Sequence, residues 1–287
     1  MRQILLLSTL VLTACSDVVV DSDVSYDDRF EVTKLDVYSP GPATTPRGAV
    51  VVIHGGGWHA GIDRSSMAQY ADRLAQAGYV AFNLEYRLTP DGGQFPHAVE
   101  DCLCALSYVR THAADYRIDP AHIASLGYSA GGHLASMLGV AATDPGVAPD
   151  CAAGPTGPVA AVVSGAGPQD MTLFPEVSTI TEFMGGTQAQ VPEVYAEASP
   201  LTHVVAGAPP YLFVHGDNDW FVSIEHTYRM RDALDAVGTR TRLLELPGDG
   251  HLWNRGADGA TWELEPSIDT PESWAAVIDF LDREIGQ

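Results

Sequence analysis

The sequence predicts an α/β protein in which helices flank a mostly parallel central sheet. Short apolar runs recur along the chain, as expected of strands that are buried on both faces. Segments with apolar residues at helical spacing separate these runs, and such alternation is typical of a parallel sheet with crossover helices. The 287 residues, 46% of them hydrophobic and 18% charged, suffice for one large domain with an extensive core.

Each element of this prediction rests on its own pattern. Strands are expected at 31–38, 49–53, 80–84, 123–126, 159–163, 211–214 and 241–246. Helices are expected at 67–75, 98–109, 132–138, 225–237 and 271–285. No linker or internal repeat interrupts residues 30–287, so one domain is expected. Residues 171–208 break the alternation and are too long for a plain connection, so we expect them to form a small cap.

The N-terminal segment has the pattern of an export signal. A basic residue, Arg2, precedes an apolar run from Ile4 to Leu12 that is too short to span a bilayer as a helix. Small residues then precede Cys15, and this ending resembles the lipoprotein box of bacteria, in which the cysteine is lipidated. We therefore expect residues 1–14 to be a signal peptide.

The same ending predicts where the protein resides. We expect an exported protein that a lipid on Cys15 anchors to a bacterial membrane, facing the periplasm or the exterior. The alternative is an ordinary secretory signal, a soluble secreted protein and an incidental cysteine. Residues 15–29 are rich in Asp and Ser and poor in aromatics, which predicts a flexible acidic tether. No membrane contact other than the lipid anchor is expected.

The charge and the cysteines of the chain limit what it binds and how its cysteines pair. A formal net charge of −22 argues against nucleic acid as a partner, because such a surface would repel its phosphates.

Cys102 and Cys104 are two apart on a predicted helix and point to different faces, so they do not easily pair with each other. Either could pair with Cys151, and the sequence leaves both pairings open. No Cys/His spacing fits a zinc site, so no metal is expected.

The segment from His122 to Leu134 carries the most informative motif. An apolar run, the turn Gly-Tyr-Ser-Ala-Gly and a helix-like segment follow one another, with Ser129 at the apex. Glycines two positions before and after the serine suit a strained turn, because a side chain at Gly127 or Gly131 would collide with its neighbours. Such a turn presents the hydroxyl as a nucleophile above unpaired helix amides.

Ligands of open α/β sheets bind at the carboxyl ends of the strands, so the residues after each strand are candidates. Three successive glycines between His54 and Trp58 could aim backbone N–H groups at an oxyanion. Asp217 and Asp219 follow a later strand, and His251 follows the next one. Spacing alone does not choose between the two acids. The chain order serine, acid, histidine fits nucleophilic catalysis on such a sheet.

From about residue 32 onward, these motifs resemble the α/β-hydrolase family. The resemblance is to bacterial carboxylesterases of the feruloyl-esterase-like and acetylesterase-like branch, and more distantly to the hormone-sensitive-lipase type. The matching motifs are LDVY at 35–38, HGGGW at 54–58, EYRL at 85–88, FP at 95–96, VED at 99–101, GYSAGGH at 127–133, ASP at 198–200, HGDND at 215–219 and GH at 250–251.

The resemblance implies a role for each site residue. By position, Ser129 is the nucleophile, Asp219 the acid and His251 the base. The implied oxyanion donors are the backbone N–H groups of Gly56, Gly57 and Ala130. The resemblance implies neither a metal nor a cofactor.

The predicted function is therefore hydrolysis of small, short-chain acyl esters by a serine carboxylesterase, through a Ser-His-Asp triad and an acyl-enzyme. Trp58 and Trp253 fall in loops predicted to face the site, and we expect both to bind substrate. A formamidase or a peptidase would use the same residues. A non-catalytic, surface-anchored binding protein would keep the fold alone. The expected partner is a small-molecule ester.

Overall fold

The computed structural model describes residues 18–59, 61–149, 151, 157–251, 253–255, 262–264 and 267–286. The predicted signal peptide, residues 1–14, and the predicted lipidation site, Cys15, lie outside the described residues.

An eight-stranded sheet forms the centre of the described structure. Its strands are β1 (Val19–Ser25), β2 (Lys34–Ser39), β3 (Arg47–Ile53), β4 (Val80–Leu84), β5 (Ile118–Tyr128), β6 (Ala161–Gly165), β7 (Tyr211–Gly216) and β8 (Thr241–Leu246). Their order in the sheet is β1-β2-β4-β3-β5-β6-β7-β8. The pairs β1–β2 and β2–β4 are antiparallel, and the others are parallel. Two short strands, β9 (Trp253–Arg255) and β10 (Trp262–Leu264), form a separate antiparallel pair.

Helices cover both faces of this sheet. They are α1 (Ala68–Gln76), α2 (His97–Thr111), α3 (Ala113–Tyr116), α4 (Ala130–Val140), α5 (Ser178–Met184), α6 (Pro192–Glu197), α7 (Glu225–Ala236) and α8 (Pro271–Glu284). Successive side chains of a strand point to opposite faces, and β3 shows the result. Val51 belongs to the same core cluster as Leu134 of α4, whereas Val50 belongs to another cluster with Leu74 of α1 and Leu281 of α8. The predicted α/β architecture is confirmed.

The N-terminal edge of the sheet corrects the prediction of a flexible tether at 15–29. Within that range residues 19–25 form β1, which pairs with β2 as the edge strand of the sheet. Acidic side chains fit there because the outer face of an edge strand is exposed. Arg64 binds both Asp23 of β1, at 2.5 Å, and Asp36 of β2, at 3.0 Å. Composition did not predict this strand, because its pairing is with β2, a separate segment of the chain.

The segment predicted as a cap, residues 171–208, connects β6 to β7 and contains α5 and α6. Two of its contacts with the core lie near the serine turn. Phe183 of α5 stacks on Trp58 with ring centroids 4.3 Å apart. His133 of α4 lies with its Nε2 atom 2.7 Å from the carbonyl oxygen of Ala198, to which it donates. The segment is thereby held against the helix that follows Ser129.

The structure decides between the two cysteine pairings that the sequence left open. Cys104 of α2 forms a disulfide with Cys151, whereas Cys102 is free and buried. The Cα atoms of the bonded pair are 5.9 Å apart, within the range that a disulfide spans. The bridge ties α2 to the connection between α4 and β6.

Candidate active site

Ser129 occupies the sharp turn between β5 and α4, as its motif predicted. Its backbone has φ 56° and ψ −122°, a conformation that side chains rarely adopt. A Cβ atom at Gly127 would lie 2.1 Å from the carbonyl oxygen of Gly131, and one at Gly131 would lie 2.1 Å from that of Ile53. The two glycines are therefore required by close backbone approach, and the turn they permit lifts the serine to the carboxyl edge of the sheet.

Three side chains that are far apart in sequence meet at this edge. The Nε2 atom of His251 lies 2.9 Å from Oγ of Ser129, and its Nδ1 atom lies 2.7 Å from Oδ2 of Asp219. Asp219 follows β7 and His251 follows β8, so the parallel strands deliver both to the same end of the sheet. All three side chains are buried. The arrangement is a continuous hydrogen-bonded path from a hydroxyl through an imidazole to a carboxylate.

The carboxylate of Asp219 is surrounded by donors. Oδ1 accepts from the backbone N–H groups of Phe221 and Val222, at 2.9 and 2.8 Å. Oδ2 faces His251 and also Nε2 of His215, at 3.3 Å. Burial alone would raise the pKa of Asp219, but the hydrogen bonds from the two histidines outweigh it and hold that pKa well below its usual range. The carboxylate is therefore ionised and oriented toward His251.

Asp217, the other acid of the same loop, has a different role. Its Oδ1 atom accepts a hydrogen bond from the backbone N–H of Gly248, at 2.6 Å. This contact joins the loop after β7 to the loop that leads to His251. Of the two acids that sequence spacing left open, Asp219 is the one that faces the imidazole.

The glycine loop after β3 lies directly beside the serine turn. Gly56 and Gly57 have φ values of 104° and 63°, which side chains rarely tolerate. A Cβ atom at Gly55 would lie 2.8 Å from the carbonyl oxygen of Tyr128. Within the described residues, the backbone N–H groups of Gly56, Gly57 and Ala130 donate to no other group. These amides are available to an anion that forms next to Ser129.

Buried polar contacts hold the base of this loop. His54 lies with Nε2 2.8 Å from Oε1 of Glu85 and with Nδ1 2.8 Å from the carbonyl oxygen of Gly55. The ring of Tyr86 stacks on that of His54, with centroids 4.4 Å apart. The hydroxyl of Tyr86 donates to the carbonyl oxygen of His54, at 3.0 Å. The backbone that leads into the glycines is thus fixed from the core side.

A cavity of about 450 Å³ opens onto Ser129. Its lining residues come from the glycine loop, the segment after it, the serine turn, the cap and the loops after β7 and β8: Gly55, Gly56, Gly57, Ile62, Ser66, Met67, Tyr128, Ser129, Thr179, Trp220, Phe221 and His251. Across the part of the chain that the structure describes, no group of three or more His, Cys, Asp or Glu side chains could hold a metal ion.

The expectation that Trp58 binds substrate is wrong. Its side chain is only 1% exposed and does not line the cavity. The indole stacks on Phe183 of α5 and meets His133 of α4 edge-on, with centroids 5.1 Å apart. Its backbone φ is 57°, and the indole lies in the core beneath the cap. Trp253, the other expected contact, lies in β9, but its side chain is outside the described part of the structure.

Two aromatic residues that line the cavity were not predicted from the sequence. Trp220 and Phe221 directly follow Asp219, and Ile62 and Thr179 complete the mouth. The available signal was two adjacent aromatic residues just after the candidate acid, in a loop already placed at the carboxyl edge of the sheet.

The fold and this site define an α/β-hydrolase. The family model that matches is BD-FAE, over residues 35–234, and the chain belongs to this family. It is 32% identical over 216 residues to esterase LipC of Mycobacterium tuberculosis, covering 72% of this chain and 53% of that protein. It is 31% identical over 248 residues to the probable carboxylic ester hydrolase LipM of the same organism, covering 83% and 57%. The chain thus spans about half the length of these curated relatives.

Two solved structures are similar over nearly the whole chain. A truncated carbohydrate esterase from gut microbiota is 26% identical with a TM-score of 0.79, covering 96% of this chain and 99% of that one. The esterase Est2 of Thermogutta terrifontis is 25% identical with a TM-score of 0.72, covering 94% and 92%. These similarities confirm the predicted α/β-hydrolase fold.

Proposed function

We propose that the protein is a serine esterase that hydrolyses carboxylic esters of small acids through an acyl-enzyme. The observation that carries the proposal is the hydrogen-bonded path from Ser129 through His251 to Asp219, which lies beside backbone amides that have no other acceptor among the described residues. The relatives named as esterases support the reaction class.

In the first half of the proposed reaction, Oγ of Ser129 attacks the ester carbonyl while Nε2 of His251 takes its proton. The ionised carboxylate of Asp219 keeps the other imidazole nitrogen protonated and stabilises the imidazolium. The amides of Gly56, Gly57 and Ala130 donate to the oxyanion, and one such donor is worth about 3 kcal/mol in related sites. The C–O bond then breaks, and His251 gives the proton to the leaving alcohol.

In the second half, a water molecule replaces the alcohol. His251 removes one proton from the water as its oxygen attacks the acyl carbon of the ester on Ser129. The same amides stabilise the second oxyanion, and collapse of this intermediate returns the proton to Oγ and releases the acid. The proposed chemistry thus uses groups of the protein itself and water.

The size of the cavity supports a preference for short acyl chains. A volume of about 450 Å³ must hold the acyl group together with part of the alcohol. Side chains of Ile62, Met67 and Phe221 form part of its apolar lining. We expect acyl groups of about two to six carbons to be favoured, because a longer chain would require displacement of packed side chains.

We also propose that the protein is exported and anchored by a lipid on Cys15. In the described residues, no helix is long and apolar enough to cross a membrane. Because β1 begins at Val19, the chain between Cys15 and the sheet spans at most about 15 Å, and the domain would lie close to the membrane surface. Activity should sediment with membranes in the wild type and not in Cys15→Ser. Equal solubility of both after export would contradict anchoring.

The reaction class is tested by comparing wild type with Ser129→Ala on p-nitrophenyl esters from acetate to decanoate and on p-nitroacetanilide. We expect the wild type to hydrolyse the short esters fastest, and the variant to lose activity by several orders of magnitude with its melting temperature retained. Faster cleavage of the anilide than of every ester would indicate an amidase instead. Hydrolysis of decanoate ahead of butyrate would contradict the short-chain preference.

A further inference from the structure

We infer that Trp220 forms a binding platform for the alcohol part of the ester and makes the enzyme favour alcohols that carry a ring with an apolar face. This inference rests on the proposed esterase function and names a specificity-determining residue for it.

The exposure of Trp220 is the first observation. Its side chain is 82% exposed, the largest value among the exposed large hydrophobic residues that the structure describes. It lines the same cavity as Ser129 and His251. Leaving an indole in water forgoes the free energy that its burial would provide, so a ligand that covers its face would gain that free energy.

The chemistry of His251 indicates which part of the ester lies on the same side of the cavity as Trp220. Breaking the ester C–O bond requires a proton on the leaving oxygen, and Nε2 of His251 is its donor, so the alcohol lies beside that imidazole. The ring of Phe221 lies 5.3 Å from the ring of His251, and the ring of Trp220 lies 5.9 Å from that of Phe221. An aromatic wall therefore runs from the proton donor to the cavity mouth, along the path that the alcohol occupies.

The shape of this wall indicates the kind of alcohol. A flat indole face gains most from another flat apolar face, either the C–H face of a pyranose or a phenyl ring, and little from a short linear chain. The formal charge of −22 on the protein disfavours anionic alcohols. The platform therefore fits a neutral, ring-bearing alcohol, and the experiment must distinguish the sugar from the aryl ring.

The test keeps the acyl group constant and varies the alcohol. Ethyl acetate, phenyl acetate and a mono-acetylated methyl pyranoside all yield the same acetyl-enzyme, so differences among them arise before deacylation. Wild type, Trp220→Ala and Trp220→Tyr are compared with the control Val205→Ala, which removes an exposed apolar side chain that does not line the cavity. We expect Trp220→Ala to lower kcat/KM for at least one ring-bearing ester about tenfold more than for ethyl acetate, chiefly through KM.

Trp220→Tyr keeps an aromatic face and should restore most of this selectivity, while Val205→Ala should match the wild type. Selective loss with the pyranoside alone assigns the platform to sugars, and loss with phenyl acetate alone assigns it to aryl alcohols. An equal effect of Trp220→Ala on all three esters overturns the inference. So does a changed oligomeric state with unchanged selectivity, since the indole would then serve a protein contact. Activity in Ser129→Ala, run alongside, would instead contradict the proposed function.

Discussion

Nε2 of His54 lies 2.8 Å from Oε1 of Glu85, in a buried pair directly beneath the glycine loop. The other ring nitrogen faces a carbonyl oxygen, so both of its partners are acceptors. The two contacts together fix the orientation of the imidazole beneath the glycine loop. Glu85 also accepts from the backbone N–H of Arg64, at 3.0 Å. Through Arg64, the same network reaches Asp23 of the edge strand β1.

This relationship predicts that Glu85 positions the glycine amides. Glu85→Gln keeps an acceptor for His54 but removes the charge, and it should lower kcat about tenfold to a hundredfold with little change in KM, since misplaced amides bind the transition state less well. Glu182→Gln is the matched control, because Glu182 pairs with His59 at 3.1 Å on the surface. Steady-state kinetics and thermal unfolding check both variants. A loss of stability with unchanged kcat would make Glu85 purely structural.

The two acids of the loop after β7 should behave differently. Asp219→Asn should lower kcat about 10⁴-fold, as in other triads, because the amide cannot hold the imidazole in the required tautomer. Asp217→Asn weakens only the contact with the N–H of Gly248 and should cost far less. Rates of p-nitrophenyl acetate hydrolysis by the two variants decide the ranking. The reverse order would transfer the acid role to Asp217.

Adding one methyl group at Gly127 should damage the fold itself. The new Cβ atom would lie 2.1 Å from a backbone oxygen of Gly131, which cannot move without breaking the serine turn. At Gly186 the nearest atoms to a new Cβ belong to side chains, at 3.3 Å or more, so Gly186→Ala is the matched control. We expect Gly127→Ala to be insoluble or to melt well below Gly186→Ala in calorimetry. Equal melting temperatures would contradict the close packing described for this turn.

Two buried histidines should make the protein sensitive to acid. Burial lowers the pKa of His133 and of His226 to about 4, from an ordinary value of 6.5. Between pH 6.5 and pH 4 the histidines of the unfolded chain take up protons that those of the folded protein do not. The free energy of unfolding is therefore highest above pH 6.5 and decreases as the pH falls toward 4. Each histidine contributes at most roughly 3 kcal/mol to this loss.

The variants His133→Gln and His226→Asn each retain one of the original hydrogen-bonding positions without titrating. The difference in melting temperature between pH 7 and pH 5 should be smaller in each variant than in the wild type. The part-exposed His122, changed to Asn, is the control and should leave that difference as it is. A wild-type pH dependence in both buried variants would show that other groups cause the acid sensitivity.

The sequence predicted those parts of the fold that depend on local pattern. The strands β4 and β8 lie at the predicted residues. All five residues of β4 are buried, as its mostly apolar sequence predicts. The turn at Ser129 was predictable because its glycines are required by close approach. The choice of Asp219 over Asp217 came from a family resemblance and not from spacing, since both follow the same strand.

Other features depend on contacts between distant residues, which local patterns do not encode. The edge strand β1 was mistaken for a tether because its acidic composition does not reveal its pairing with β2. Trp58 was predicted to line the substrate pocket because its loop faces the site. In the structure its indole stacks on Phe183 of the cap and lies in the core. Trp220 lines the cavity with residues of the glycine loop and the cap that are distant from it in the sequence.

The central claim is that Ser129 is a nucleophile activated by His251, and covalent labelling tests it most directly. With an alkyl fluorophosphonate, Oγ of Ser129 would form the P–O bond, fluoride would leave, and His251 would take the hydroxyl proton. Intact-protein mass spectrometry followed by peptide mapping should find one adduct, on Ser129, in proportion to the loss of ester hydrolysis, and none in Ser129→Ala. An unlabelled Ser129, or full labelling with activity retained, would contradict the account.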